Sequence, residues 1–336
     1  VRKIVALVVV VIVVVAAWTG GWFYLRGRLL AEMDRSLADL ASKGAEIACP
    51  DRSATGWPFR MEIACVEPVA RFPDGTRVGA AAFAATWHVV DPKLVVAALK
   101  PPLVVDGPTG ERATLAFEQL RASLRSEDLR TGALAVEAEK PGLTVAAADG
   151  TVAAEGAADV AEIHVRPTPD TPGSWDLAVT AWALTGRSGE AAMLPAPADA
   201  GIDLSVSELR RLGGGTPAAI AAWSANGGAI TLREATLVVG ETRISAAGTV
   251  RINPDGTPTA TLDATATRID WLTKTAQAGT PLPPALAALG SAFLLLGRPL
   301  EGEGAPRALT VAVEEGAVSA NGLSIGQIPP LLGGGS

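Results

Sequence analysis

Residues 243–267, RISAAGTVRINPDGTPTATLDATAT, decide the fold class. In the first half Ile244, Ala246, Gly248, Val250 and Ile252 fall on one side, against Arg243, Ser245, Ala247, Thr249 and Arg251 on the other. After the turn formers Asn253-Pro254-Asp255-Gly256, Ala260, Leu262, Ala264 and Ala266 alternate with Thr259, Thr261, Asp263, Thr265 and Thr267. Successive side chains of a strand point to opposite faces. This period of two therefore predicts an antiparallel hairpin with one apolar and one wet face.

Weaker alternation runs through 77–90, 112–124, 132–138, 175–184, 228–239 and 307–313. Many short strands punctuated by Gly and Pro predict a mainly β chain with a long antiparallel sheet, curved or groove-like, rather than a βαβ stack. Helical pattern interrupts it at 217–224 and again at 283–296, PPALAALGSAFLLL, which is too short to span a membrane and suits a core or groove-capping helix. The proline-rich stretches 167–172 and 193–200 read as links between strands.

Residues 4–25, IVALVVVVIVVVAAWTGGWFYL, carry no charge, and as a helix would span about 30 Å, the thickness of a bilayer's hydrocarbon core. Trp18, Trp22 and Tyr24 cluster at one end, where amphipathic rings suit the headgroup layer. Residues 1–25 are thus expected to be a transmembrane anchor. A cleaved signal peptide is the alternative, with Val15-Ala16-Ala17 as its cleavage site, but the apolar run continues past the about 7–15 residues of a signal h-region. Arg2 and Lys3 before the run nearly balance Arg26 and Arg28 after it, so orientation rests on the short N-terminal tail staying cytoplasmic. Leu29, Leu30, Met33, Leu37 and Leu40 then recur at helical spacing, predicting an amphipathic exit helix over 26–48 and a β-rich domain over 49–336.

The chain has 336 residues and a net charge of −7, and it has no basic cluster beyond the anchor flanks, which argues against a nucleic-acid partner. Aromatic residues make up only 4%, so a large closed core would be packed thinly by alanines. Cys49 and Cys65, in an exported context, are expected to form one disulfide worth about 3 kcal/mol in the chain-entropy account. His88 and His164 are the two histidines and lie far apart, which leaves no metal cluster and no cofactor to expect. No Gly-x-Ser-x-Gly, P-loop or Cys-x-x-Cys occurs, Gly213-Gly214-Gly215 lacks a following lysine, and Glu127-Asp128 and Glu314-Glu315 sit in turn-like stretches. No catalytic constellation emerges, and a non-enzymatic role is expected.

Gly56-Trp57-Pro58-Phe59-Arg60 is the most specific short motif. Glycine permits a tight bend, proline fixes φ, Trp and Phe offer packing area, and Arg60 can reach a carboxylate or carbonyl. It reads as a corner locking the first strand onto the exit helix, or as a partner or headgroup site.

With the anchor, exit helix and paired cysteines, this motif resembles the alphaproteobacterial DUF2125 proteins. Trp223-Ser224-Ala225-Asn226-Gly227-Gly228 and the ending Asn321-Gly322-Leu323-Ser324-Ile325-Gly326-Gln327-Ile328-Pro329-Pro330-Leu331 fit as well. The resemblance implies a bacterial inner-membrane protein, single-pass, with its bulk in the periplasm, and supplies no activity. The alternating strands more loosely resemble AsmA-like envelope proteins, which implies a lipid-binding sheet groove in lipid transport or envelope maintenance. Ile244, Ala246, Val250, Leu262 and Ala264 are then the candidate groove lining, with phospholipid as partner. The competing expectation is a sealed core in a scaffold that binds envelope proteins.

Overall fold

A computed structural model of the chain describes residues 2–88, 90–125, 132–189, 191–209, 217–253, 255–277, 284–301 and 305–330. Glu127, Asp128, Gly213, Gly214, Gly215, Pro254, Pro283 and Leu331, named above, lie outside the described residues. The chain is mainly β and antiparallel, with four helices among the described residues, and divides into two compact units: Val1–Glu127 with Leu143–Val152, and Asp128–Gly142 with Ala153–Ser336.

The first unit begins with helix α1 (Arg2–Ser42). Valine and isoleucine are weak helix formers in water, but in lipid a helix satisfies every backbone group internally. The helix is one piece through anchor and exit segments, and it stops at Ser42 rather than at residue 48. Gly44, at φ +84°, is the cause: its N–H bonds the Ala41 carbonyl and the Ala45 N–H bonds that of Leu40, a Schellman C-cap. Residues 46–48 instead form strand β1 (Glu46–Ala48).

There follow β2 (Asp51–Thr55), β3 (Arg60–Val66), β4 (Val69–Arg71), β5 (Arg77–His88), β6 (Asp91–Asp106), β7 (Arg112–Ala116) and β8 (Gln119–Arg125). They pair antiparallel in the order β2–β3–β5–β6–β8, while β4 and β7 take the far halves of β5 and β6, and β1 adds to β4. The change of partner along β6, from β8 up to Leu99 to β7 from Leu103, falls at Pro101-Pro102. Neither proline has an N–H to give to the ladder there.

The remaining strands are β9 (Ala133–Glu139), β10 (Gly142–Ala146), β11 (Val152–Ala157), β12 (Val160–Pro167), β13 (Trp175–Ser188), β14 (Ala191–Ala192) and β15 (Ala198–Val206). After helix α2 (Pro217–Ala225) come β16 (Ile230–Val239), β17 (Thr242–Ile252) and β18 (Pro258–Thr267). Helices α3 (Asp270–Gln277) and α4 (Pro284–Leu296) lead to β19 (Arg298–Pro299), β20 (Arg307–Glu314), β21 (Ala317–Ala320) and β22 (Leu323–Gln327). In the second unit the ladder runs β9–β12–β13–β15–β16–β17–β18–β20–β21–β22. The hairpin expected from residues 243–267 is β17–β18, and residues 198–200, expected in a link, already belong to β15.

The second unit's buried core sits at one end of this sheet. Ala198, Val239, Ile244, Ala266, Leu309 and Ala320 from the strands meet Ile269, Leu272 and Phe293, the last two being helix residues. Helix α4 buries Leu286 and Phe293 and leaves Leu295 at 81% exposure, so it caps the sheet with one face only. Its last carbonyls are held by side chains: Arg307 donates to Phe293, Leu294 and Gly297, and Asn321 Nδ2 to Leu296. A cation at a helix C-terminus is also favoured by the helix dipole.

Gly240 turns β16 into β17 at φ +55°, and a Cβ there would overlap the Trp271 indole. Gly240→Ala is therefore expected to cost about 1–3 kcal/mol, from a left-handed backbone and a displaced ring together. Chemical denaturation measures it, and an unchanged midpoint would show that the turn adapts freely.

Candidate functional site

Three features carry the chemistry of this chain, and the first is the Gly56–Arg60 corner. Gly56, at φ +106°, bends the chain where a Cβ would strike Arg60, and the Arg60 N–H closes the turn on the Gly56 carbonyl at 3.1 Å. Donors spaced one helical turn apart on α1 hold the corner. Trp18 Nε1 donates to the Pro58 carbonyl at 2.9 Å, Trp22 Nε1 to that of Arg60 at 3.1 Å, and Arg26 Nε to that of Ala54 at 2.9 Å. The Trp18 and Phe59 rings lie 6.2 Å apart, and Trp22 is buried to 5%. The corner thus docks on the end of the uncharged run rather than on the charged exit segment expected from the sequence. Further along α1, Asp34 pairs with Arg52 of β2 at 2.7 Å. Leu29, Leu30, Met33 and Leu37 of the exit stripe are half-buried, while Leu40 is exposed.

The Cys49–Cys65 disulfide is formed, with Cα atoms 5.6 Å apart, and it closes the loop that carries this corner. Beside the corner, an apolar recess of about 410 Å³ is lined by Val14, Ala17, Trp18, Gly21, Trp22 and Leu25.

The second feature is the apolar face of the second unit. Cross-strand register places Val136, Ile163, Val179, Ile202, Ala235, Ala246, Ala264 and Leu309 in one row. A neighbouring row holds Leu134, Val165, Leu177, Leu204, Leu232, Gly248, Leu262 and Val311. At about 4.8 Å per strand, eight strands make a face about 34 Å across. The β-bulge at Arg233-Glu234 keeps Leu232 and Ala235 on the same side, so the face continues without a break.

This face changes character along its length. Leu134, Ile163 and Ile202 are exposed, at 36%, 41% and 37%. Ile244, at 7%, and Leu309, at 5%, belong to the closed core, with Ala264 packed against it. Of the five lining candidates, Ile244 and Ala264 thus belong to the sealed end, and Ala246, Val250 and Leu262 are half-buried. The open end is built by β9, β12 and β15, whose residues the sequence reading did not single out.

The third feature lies on the opposite face. Asp176, 6% exposed, accepts from Arg233 Nη1 at 2.8 Å, Thr168 Oγ1 at 2.8 Å and Arg166 Nε at 3.3 Å, and Arg233 also grips Asp203. Burial works against the charge on Asp176, but the bonds from Arg233, Thr168 and Arg166 outweigh it and hold the carboxyl below its ordinary range. Four strands, β12, β13, β15 and β16, are tied together at this point. Two consecutive charged residues, Arg233-Glu234, where alternation calls for one, are the sequence signal for the bulge that aims Arg233 at Asp176.

Of the two histidines, His88 ends β5 opposite Arg60, and His164 on β12 meets Glu162 at 3.2 Å on the solvent side. Glu315, at φ +48°, turns the chain after Glu314.

Residues 22–329 match the family described as an uncharacterized protein conserved in bacteria, DUF2125. The chain belongs to the DUF2125 family. No curated protein and no solved structure matches it. The match begins at Trp22, the residue of α1 buried beneath the corner. The motifs that suggested DUF2125 from the sequence are structural corners. In 223–228, Trp223 is 1% exposed and donates to the Ser207 carbonyl, Gly227 and Gly228 form a Schellman cap on α2, and a Cβ at Gly228 would strike the indole. In the ending, Asn321 bridges β20, through Thr310, to the last turn of α4.

Proposed function

We propose that this DUF2125 protein is a non-enzymatic, membrane-anchored envelope protein that binds lipid acyl chains along the open end of its apolar sheet face, in lipid transport or envelope maintenance. The observation that carries this reading is the aliphatic face across β9–β12–β13–β15–β16–β17–β18–β20, open at Leu134, Ile163 and Ile202. Contiguous apolar surface left uncovered marks a site for an apolar partner. A face about 34 Å across exceeds one leaflet's half of an about 30 Å hydrocarbon core.

The anchor is α1, long and apolar enough to span a bilayer, with a mean hydropathy of 2.7 over its best window. The disulfide favours an oxidising compartment, and the aromatic cluster favours an interface at the Trp18–Tyr24 end. On this reading the N-terminus is cytoplasmic, α1 crosses the inner membrane and both units are periplasmic.

Lipid extraction and mass spectrometry of the purified full chain, beside an Ile163→Glu/Ile202→Glu variant, test the acyl site. Lipid surrounding α1 is common to both proteins and cancels. Loss of a lipid class from the variant with an unchanged melt is the expected result. Identical lipid content would discard the acyl site and leave a scaffold for envelope proteins.

A further inference from the structure

The Gly56–Arg60 corner is held against the Trp18–Arg26 stretch of α1, which lies at the interfacial end of the uncharged run once α1 is in a bilayer. Trp18 lies about 10 Å along the helix from Leu25, where the uncharged run ends, measured toward the membrane. Pro58 is hydrogen-bonded to Trp18 and Phe59 packs on it, so both lie at that level. The contacts descend in order: Ala54 at Arg26, Arg60 at Trp22 and Pro58 at Trp18.

The composition of the corner suits lipid. Trp57 is 51% and Phe59 62% exposed, an arrangement costly in water and favourable among acyl chains and headgroups. No charge interrupts 56–59, and Arg60 follows at the neck, where its long stem lets the guanidinium reach phosphate level. Irregular backbone is tolerated at membrane depth only where protein satisfies it, and here indole and guanidinium donors on α1 take the carbonyls of Pro58, Arg60 and Ala54.

We propose that Trp57-Pro58-Phe59 is a second membrane contact, inserted beside α1 into the leaflet at its Trp18 end, with phospholipid as the occupant. The contact fixes the first unit against the bilayer surface, so that α1 is a rigid mount rather than a tether. This rests on the reading of α1 as a membrane span, and the test separates the two.

The full chain is placed in phospholipid nanodiscs with plain or brominated acyl chains, and the emission lost in Trp57→Phe gives the signal of Trp57 itself. A Val10→Trp variant, in the middle of the run, reports insertion of α1. Brominated chains are expected to reduce the Trp57 signal about twofold or more, as an indole at the interface requires, and to quench the added indole of Val10→Trp as well. If the Val10→Trp indole is quenched and Trp57 is not, the corner lies outside the bilayer and the proposal fails while the anchor stands. If neither is quenched, α1 itself is not inserted and both readings fall. A Trp57 signal quenched by aqueous acrylamide and not by bromolipid overturns the proposal in the same way.

Discussion

Ile244→Glu is expected to cost about 4 kcal/mol or more, because it removes a buried aliphatic side chain and leaves a carboxylate among Phe293, Leu272 and Ala266. The nearest cation in register is Arg307, opposite Ala266, and its guanidinium is already committed to the carbonyls of Phe293, Leu294 and Gly297. A glutamate that captured it would uncap α4, so neither arrangement escapes the penalty. At about 2–4 °C per kcal/mol for a unit of this size, the melting temperature falls by on the order of 10 °C. Ile163→Glu, on the same face but 41% exposed, should stay within about 1 kcal/mol of the unsubstituted protein. Thermal melts of the two variants side by side locate the boundary between sealed core and open face. Equal losses would mean that the face is closed throughout, and equal tolerance that α3 and α4 do not seal it.

That boundary marks what the sequence could show. The alternation in 243–267 disclosed β17, β18 and their apolar side, because each strand keeps a strict period of two. It could not disclose depth of burial: Ile244 and Ile202 are the same residue type in the same kind of strand, and they differ because helices cover one and not the other. Helix α3 escaped notice because DWLTKTAQ is short, and much of its apolar contribution comes from Trp271 and Leu272.

Strand β6 was hidden by Pro101-Pro102, which argues locally against a central strand. In the fold, the prolines fall where the strand exchanges one partner for another. The corner was legible as a corner, since glycine, proline and two aromatics in five residues state the bend and the packing together. Its partner was not, because nothing local distinguishes Trp18 and Trp22 as interface aromatics from Trp18 and Trp22 as hydrogen-bond donors.

The charge cluster on the opposite face gives the remaining large effect. Asp176 is nearly buried while Arg233 keeps more than a third of its side chain in solvent, so the pair is asymmetric. Arg233→Met strands a buried carboxylate with Thr168 and the exposed Arg166 as its remaining partners, and is expected to cost about 2–3 kcal/mol. Asp176→Leu should cost less in the Arg233→Met background than alone, because the stranded charge is gone. A double-mutant cycle by chemical denaturation reads this coupling, and additive losses would mean that the two residues act independently.

The same cluster fixes a pH response. The folded carboxyl of Asp176 is held below its ordinary value of 3.8, so its stabilising share is fully present above that value. The share drains away as the pH falls through the lower, folded value, because the unfolded chain then binds the proton first. Asp176→Asn should flatten the acid limb of the stability curve below about pH 4 while leaving its shape near neutrality unchanged. An acid limb of the same steepness in the variant would assign acid unfolding to other carboxylates and remove Asp176 from the account.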